Sequence, residues 1–386
     1  MSTTILFGLF AATLFAVARF HQRALAIALG GLVAVVCARL ALTEFSLPTH
    51  LLHEWQPVVN LAGLLLGFAV LADCFERSHL PPRLTKVLPA GRLGAFCLLA
   101  LVALLSAVLD NIAAAMIGGS AAITLFQRKV HIGYLAAIVA ASNAGGAASV
   151  IGDTTTTMMW IEGVQQAWVV EAAIGAVVAL AFFGWFASAQ QHRLQPMVGR
   201  NAVTLSPLDL GKLSLVGLIL AGAIAANFGL DFPAVGVWVA ILLGVCWRAP
   251  KWRAVAAAMP GMAFLVSLVL TASMMPVESL PPPSACTTFG LGIVSAFFDN
   301  IPLTKLALQQ DHYDWGLLAF CVGYGGSMLW FGSSAGVAIA GLFPEARSAK
   351  AWLLNGWHVA VGYGLGFLAM LLIVGWHAQA LPIMPR

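Results

Sequence analysis

Three carboxylates lie inside long apolar runs: Asp110 in LSAVLDNIAAAMIGG, Asp153 in SNAGGAASVIGDTTTTMMW and Asp299 in IVSAFFDNIPLTKLAL. Each has neutral polar company close by in the chain. Asn111 follows Asp110, Asn300 follows Asp299, and Asn143 with the hydroxyls of Thr154 to Thr157 flanks Asp153. An ionised side chain at the centre of a bilayer costs about 2.5–3.5 kcal/mol even on insertion scales, and such residues mark ion pathways. Carboxylate, amide and hydroxyl oxygens are hard ligands that suit a small cation such as Na⁺ or Li⁺. A carboxylate in low dielectric also holds a proton more readily than one in water, so it can trade that cation for a proton. Gly145, Gly146 and Gly152 allow the chain to unwind there and bring backbone carbonyls to the site. The motif thus predicts an ion-binding unwound helix, with Asp153 shared between cation and proton and Asp110 assisting. The sodium ligands expected from this reading are Asp110, Asn143 and Asp153. Asp110 and Asp299 also fit helix caps at hairpin tips, and the two roles are compatible. Ser149 and Thr124 read as hydrogen-bonding glue between helices.

These residues need a lipid-embedded frame. Of 386 residues, 61% are hydrophobic and 9% charged, with a mean hydropathy of +0.93. A soluble domain carries roughly 25% charged residues, so this chain is an all-α polytopic membrane protein. A crossing takes roughly 20 apolar residues. The N-terminal stretch lacks a basic n-region and a small-residue cleavage site and reads as a first span. Crossings are expected near 4–20, 24–44, 57–75, 131–161, 164–188, 212–229, 233–247, 255–275, 314–342 and 351–376. Those at 131–161 and 314–342 are too long and too polar for plain helices and read as broken ones. The segments near 93–126 and 285–309 read as re-entrant hairpins. With the N-terminus outside, that choice places all of the 19 Lys and Arg except Arg39, Lys305 and Arg386 in the cytoplasm, as the positive-inside rule requires. It also places Glu44, Glu54, Glu162, Asp231, Glu278, Asp311 and Asp314 in outer loops, and both termini outside. The six cysteines, with no metal spacing, read as buried thiols acting as small hydrophobes.

The block Ser106-Ala107-x-x-Asp110-Asn111-Ile112 recurs as Ser295-Ala296-x-x-Asp299-Asn300-Ile301. Downstream, Gly145-Gly146 with Gly152 recurs as Gly325-Gly326 with Gly332, at nearly the same offset. Two ordered matches indicate duplication. Five crossings plus one hairpin per half make the halves face opposite ways, so residues 1–200 and 201–386 are expected to form two inverted repeats. Such repeats place a site at the midplane, reached from each side in turn. Ser333, followed by Ser334, occupies the place of Asp153 in the second half. Lys305 reads either as a snorkelling surface lysine or as a built-in charge partner of a site carboxylate. His358, beside Asn355, reads as a packing histidine, and HLLHE at 50–54 lacks a third metal ligand.

With these motifs assembled, the chain resembles the NhaD-type sodium/proton antiporters of the ion transporter superfamily, whose relatives include arsenite, citrate and dicarboxylate carriers. The resemblance rests on residues 142–163, on VLDNI (108–112) and FFDNIPL (297–303), and on 321–341. It implies exchange of Na⁺ or Li⁺ for H⁺ by a homodimer that moves a transport domain against a scaffold in a bacterial inner membrane. It implies no cofactor and no nucleic-acid partner. The family's functional positions fall on Asp110, Asn111, Asn143, Asp153, Thr155, Thr156, Asn300, Ser333 and Ser334. Lys305 departs from it, standing where such proteins look apolar.

Two other classes compete. An anion carrier of the same architecture would hold a carboxylate or oxyanion at helix N-termini with Na⁺ beside it; three buried aspartates argue against it. A membrane enzyme is suggested by GSSAG (332–336), but a nucleophile elbow needs a strand, a turn and a base. No phosphate-binding loop is present, so ATP hydrolysis by this chain is not expected.

Overall fold

The computed structural model describes residues 2–197, 207–246 and 249–381, and its regular elements are all helical among these residues. Arg200, Arg248 and Arg386, and the boundary drawn between the halves at 200/201, lie outside the described residues. In hydrocarbon every backbone N–H and C=O must be satisfied within the segment, which leaves the helix as the form open to these apolar runs.

The chain runs as α1 (Ser2–Arg19), α2 (Ala24–Leu42), α3 (Leu47–Glu76) and a short α4 (Leu80–Lys86). The first hairpin is α5 (Gly91–Ser106) and α6 (Asn111–Leu125). The broken pair α7 (Ile132–Ala147) and α8 (Thr154–Ile161) follows, then α9 (Gln166–Val170) and α10 (Ala172–Leu194). The second half comprises α11 (Leu210–Leu230), α12 (Pro233–Val245) and α13 (Trp252–Ser273). It continues with the hairpin α14 (Ala285–Ser295) and α15 (Asn300–Gln310), and the broken pair α16 (Trp315–Gly325) and α17 (Ser334–Leu342). It closes on α18 (Ala349–Asn355) and α19 (Trp357–Ile373). Among the described residues six helices are long and apolar enough to cross a membrane, or seven if α18 and α19, bent by 62° about Gly356, count as one. Side chains such as Leu104, Phe228 and Leu372 are exposed around the outside, where lipid rather than water meets them.

The segments near 93–126 and 285–309 each fold as two helices, and α7/α8 and α16/α17 are each interrupted. The first hairpin returns to the end it enters from: Gly91 N–H donates to the Met197 carbonyl at 3.1 Å, while Gln191 accepts from His131 N–H at 2.8 Å and donates to the Lys129 carbonyl at 2.9 Å. Entry and exit are therefore both tied to the end of α10. The second hairpin closes similarly, with Gln310 Nε2 donating to the Pro281 carbonyl at 2.7 Å. The hairpins open toward opposite ends of α3. Thr124 and Leu125 of the first share a cavity with Glu76, whereas Gln309 of the second donates to the Ser273 carbonyl beside His50.

The two halves repeat their close contacts. A Cβ on Gly145 would strike the backbone of Ala103, and one on Gly325 the backbone of Gly292. A Cβ on Gly152 would meet the Ser106 carbonyl, and one on Gly332 the Ala296 carbonyl. These glycines let each broken helix press against the first arm of its own hairpin, a role sequence assigned to unwinding alone.

Several boundaries differ from expectation. α3 begins at Leu47 rather than near 57, so the HLLHE stretch is helical, and α10 continues to Leu194. Of the cysteines, Cys74 and Cys321 are buried, whereas Cys37, Cys246 and Cys286 are exposed; a thiol is apolar enough for a lipid-facing position, which composition could not tell from a core one.

Gly145→Ala is expected to destabilise the fold by about 1–3 kcal/mol, the range for overpacking a close contact. Gly217→Ala, whose Cβ would enter open space, is expected to be neutral or slightly stabilising; thermal melting of the two purified variants checks the contrast.

Candidate cation site

Four half-helices begin in the middle of the molecule, and each begins with a side-chain cap. Asp110 accepts from Ala113 N–H at 2.8 Å at the start of α6. Asp153 accepts from Thr155 N–H at 3.2 Å at the start of α8, and Asp299 from Ile301 N–H at 3.2 Å at the start of α15. Ser333 accepts from Gly336 N–H at 3.3 Å at the start of α17. The cause is local: a helix interrupted in lipid exposes its first amides, and Asp or Ser at the cap position satisfies them.

The structure brings the sequence candidates together. Asp110, Asn111, Asp153, Thr154, Asn300 and Ser334 line one cavity of about 60 Å³. Asp299, Ser333 and Ser334 line its neighbour. Asn300 Nδ2 donates to both Asp153 oxygens, at 3.4 and 3.3 Å, and Ser334 Oγ donates to Asp299 at 3.3 Å. Asn143, fully buried, joins the halves. Its carbonyl accepts from Asn111 Nδ2 at 3.1 Å, and its amide donates to Ser327 at 3.0 Å and Ser333 at 3.1 Å. Gly323 of α16 makes room for Asp153, since a Cβ there would lie 3.3 Å from the carboxylate.

The threonines divide into two kinds. Thr156 Oγ1 donates to the backbone carbonyls of Ser149 and Asp153, and Thr157 Oγ1 to those of Val150 and Asp153. They brace the unwound segment. Thr155 Oγ1, fully buried, has no hydrogen-bond partner among the described residues. Among the described residues no group of three His, Cys, Asp or Glu could hold a metal ion; any cation would rely on amide, hydroxyl and carbonyl oxygens beside the carboxylates.

Lys305 takes neither of the positions expected of it. It is 3% exposed, and its Nζ lies 2.8 Å from Glu54 Oε2 and 2.8 Å from Glu162 Oε1. Glu54 and Glu162, placed in outer loops by sequence, are therefore the partners of a buried ammonium. Hydropathy missed them because Glu54 sits in a polar, proline-containing stretch between two expected spans and Glu162 follows an apolar run, both places where a loop would fit. The one signal was a lysine in the middle of α15, which demands carboxylates nearby. His358 is fully buried, with Nε2 3.1 Å from Gln190 Oε1, a packing role. Ser333 has Asn143 and Gly336 as its partners, an arrangement for capping rather than nucleophilic attack.

Residues 12–324 match the family model described as citrate transporter. The chain belongs to that family. It is also 27% identical over 320 residues to sodium/proton antiporter 1 of Arabidopsis thaliana, covering 71% of this chain and 54% of that protein. Identity is again 27% over 338 residues to sodium/proton antiporter 2 of Arabidopsis thaliana, covering 72% and 74%. Against the Na⁺/H⁺ antiporter NhaD of Alkalimonas amylolytica it is 27% over 263 residues, 53% of each chain. The chain thus spans about half the length of two of these relatives and about three quarters of the third. The resemblance to NhaD-type antiporters is borne out, and the protein is a multi-pass membrane transporter by family.

Asn143→Ala should leave Asn111, Ser327 and Ser333 short of partners at a buried point, at about 1–3 kcal/mol. Thr155→Ala removes no hydrogen bond and should cost well under half of that; melting curves without added Na⁺ give the comparison.

Proposed function

We propose that the protein exchanges Na⁺ or Li⁺ for H⁺ across the membrane by alternating access. The observation that carries this reading is the charge balance of the site. A helix N-terminus acts as roughly half a positive charge, so four of them supply roughly +2 against three ionised caps at −3, leaving roughly −1. That residue of negative charge matches one monovalent cation or one proton. An anion carrier would use the same N-termini with neutral caps, as at Ser333, and would keep the positive potential. The family description names citrate, but Asp110, Asp153 and Asp299 cancel the field that a tricarboxylate needs.

In this reading Asp153 is the shared cation and proton carboxylate and Asp110 assists. Asn143, Thr155, Asn300, Ser333 and Ser334 supply oxygens or hold the carboxylates, and Thr156 keeps the unwound segment in shape. Na⁺ and H⁺ compete for one buried charge, which couples their opposite movements. The hairpins opening toward opposite ends of α3 support an inverted repeat and a site presented to each side in turn. The apolar wall of Leu64, Leu65, Phe68 and Leu265 facing the polar residues supports a transport domain that moves against a scaffold. The basic loops at the Arg77 end support a cytoplasmic position for that end; an inner-membrane homodimer with both termini outside completes the proposal.

Purified protein in liposomes with an imposed pH gradient should answer added NaCl or LiCl with a change in internal pH, and KCl should not. Asp153→Asn should abolish the response, and full retention would remove Asp153 from the site. Protons occupy the carboxylate as pH falls, so half-saturating Na⁺ should rise toward acid pH, by up to about tenfold per pH unit at the competitive limit. Uptake of labelled citrate or succinate in place of the cation response would establish the anion-carrier reading.

A further inference from the structure

The buried ions at Lys305 lie outside the cation site, yet on the same elements. α3, α8 and α15 each run from the cavity to the ions in the same order. Leu64, Thr157 and Ile301 line the cavity; Leu61, Met158 and Ile161 come next; and Glu54, Glu162 and Lys305 meet at the far end. The space between cavity and ions shrinks to about 10 Å³, too small for more than about one water molecule. The ions therefore lie on the His50 side of the site along α3, with little open space beside them.

The two carboxylates belong to differently anchored elements. Glu162 terminates α8, which is tied to α15 at its other end by the Asn300–Asp153 hydrogen bonds. Glu54 lies on α3, which is fixed to α12 where Asn60 accepts from Ala234 N–H at 2.9 Å and Trp238 Nε1 donates to the Gly63 carbonyl at 3.0 Å. An ammonium left alone in such surroundings is strongly destabilising, because a buried charge without a partner is uncompensated. A lysine with a single partner could not be released at a useful rate. A lysine with two partners, one on each body, can leave one and keep the other.

We propose that Glu54 and Lys305 form a releasable latch that holds the state closed toward the His50 end, while Glu162 retains the ammonium when the latch opens. This rests on the alternating-access reading and adds which contact sets the balance of the two states. Glu54 stabilises one state, so its loss shifts an equilibrium. Glu162 accompanies Lys305 through both states and the passage between them, so its loss slows the passage. These are positioning roles, since neither carboxylate reaches the cation site.

The test has two arms. In the first, Leu61→Cys and Ile161→Cys are introduced after replacement of the six native cysteines, and disulfide trapping is measured without any transported ion. Glu54→Gln should lower the trapped fraction, and Glu54→Asp, which keeps the buried charges balanced, should lower it less. In the second arm, exchange is measured from each face in oriented vesicles. Glu54→Gln should raise half-saturating Na⁺ at the Arg77 face and lower it at the opposite face, by about tenfold within the usual range of coupling. Glu162→Gln should instead lower the maximal rate from both faces with little asymmetry. Unchanged trapping in Glu54→Gln, or the same symmetric loss in both variants, would overturn the latch. Reduced trapping in a protein that exchanges no cation would uphold the latch and remove the antiport reading.

Discussion

The structure depends on four helix N-termini, two at hairpin tips and two at helix breaks, whose first amides point inward at the middle of a lipid-embedded molecule. Exposed amides in hydrocarbon cost several kcal/mol each, and the chain answers with Asp110, Asp153, Asp299 and Ser333 as caps. That solution creates a second imbalance, because three carboxylates outweigh the helix ends they cap. In the proposed antiport the excess charge is met by an ion that enters and leaves. Structural necessity and transport would then use the same side chains, and capping and ion binding are compatible at Asp110 and Asp299.

Around that centre the packing separates a polar group of short helices from an apolar wall. Glycines at 145, 152, 325 and 332 remove the side chains that would keep the broken helices from their hairpins. Asn143 then ties the two halves by hydrogen bonds to Asn111, Ser327 and Ser333. Opposite stand Leu64, Leu65 and Phe68, whose apolar contacts lack the direction of hydrogen bonds. The buried ions at the end of α3 supply the directional contact that such a surface lacks.

Family membership and relatives point to neighbouring chemistries, citrate in one name and sodium with protons in the others. In the proposed reading the two chemistries differ in the caps: inward-facing helix ends favour an anion when capped by neutral residues and a cation when capped by carboxylates. Ser333 shows the neutral version within this chain and Asp153, its counterpart, the charged one.

Much of this was legible in the sequence. Hydropathy read the all-helical, membrane-spanning class, and the polar islands pointed to Asp110, Asp153 and Asp299, which the fold gathers at neighbouring cavities, because each signal is local and lipid punishes exceptions to it. Partnership between distant residues was not legible. Glu54 and Glu162 looked like loop carboxylates, and Thr155 and Thr156 looked alike although one braces the backbone and the other is unpartnered. Local composition determines which groups must be satisfied in lipid; only the folded chain decides what satisfies them, because burial and pairing arise where segments far apart in sequence meet.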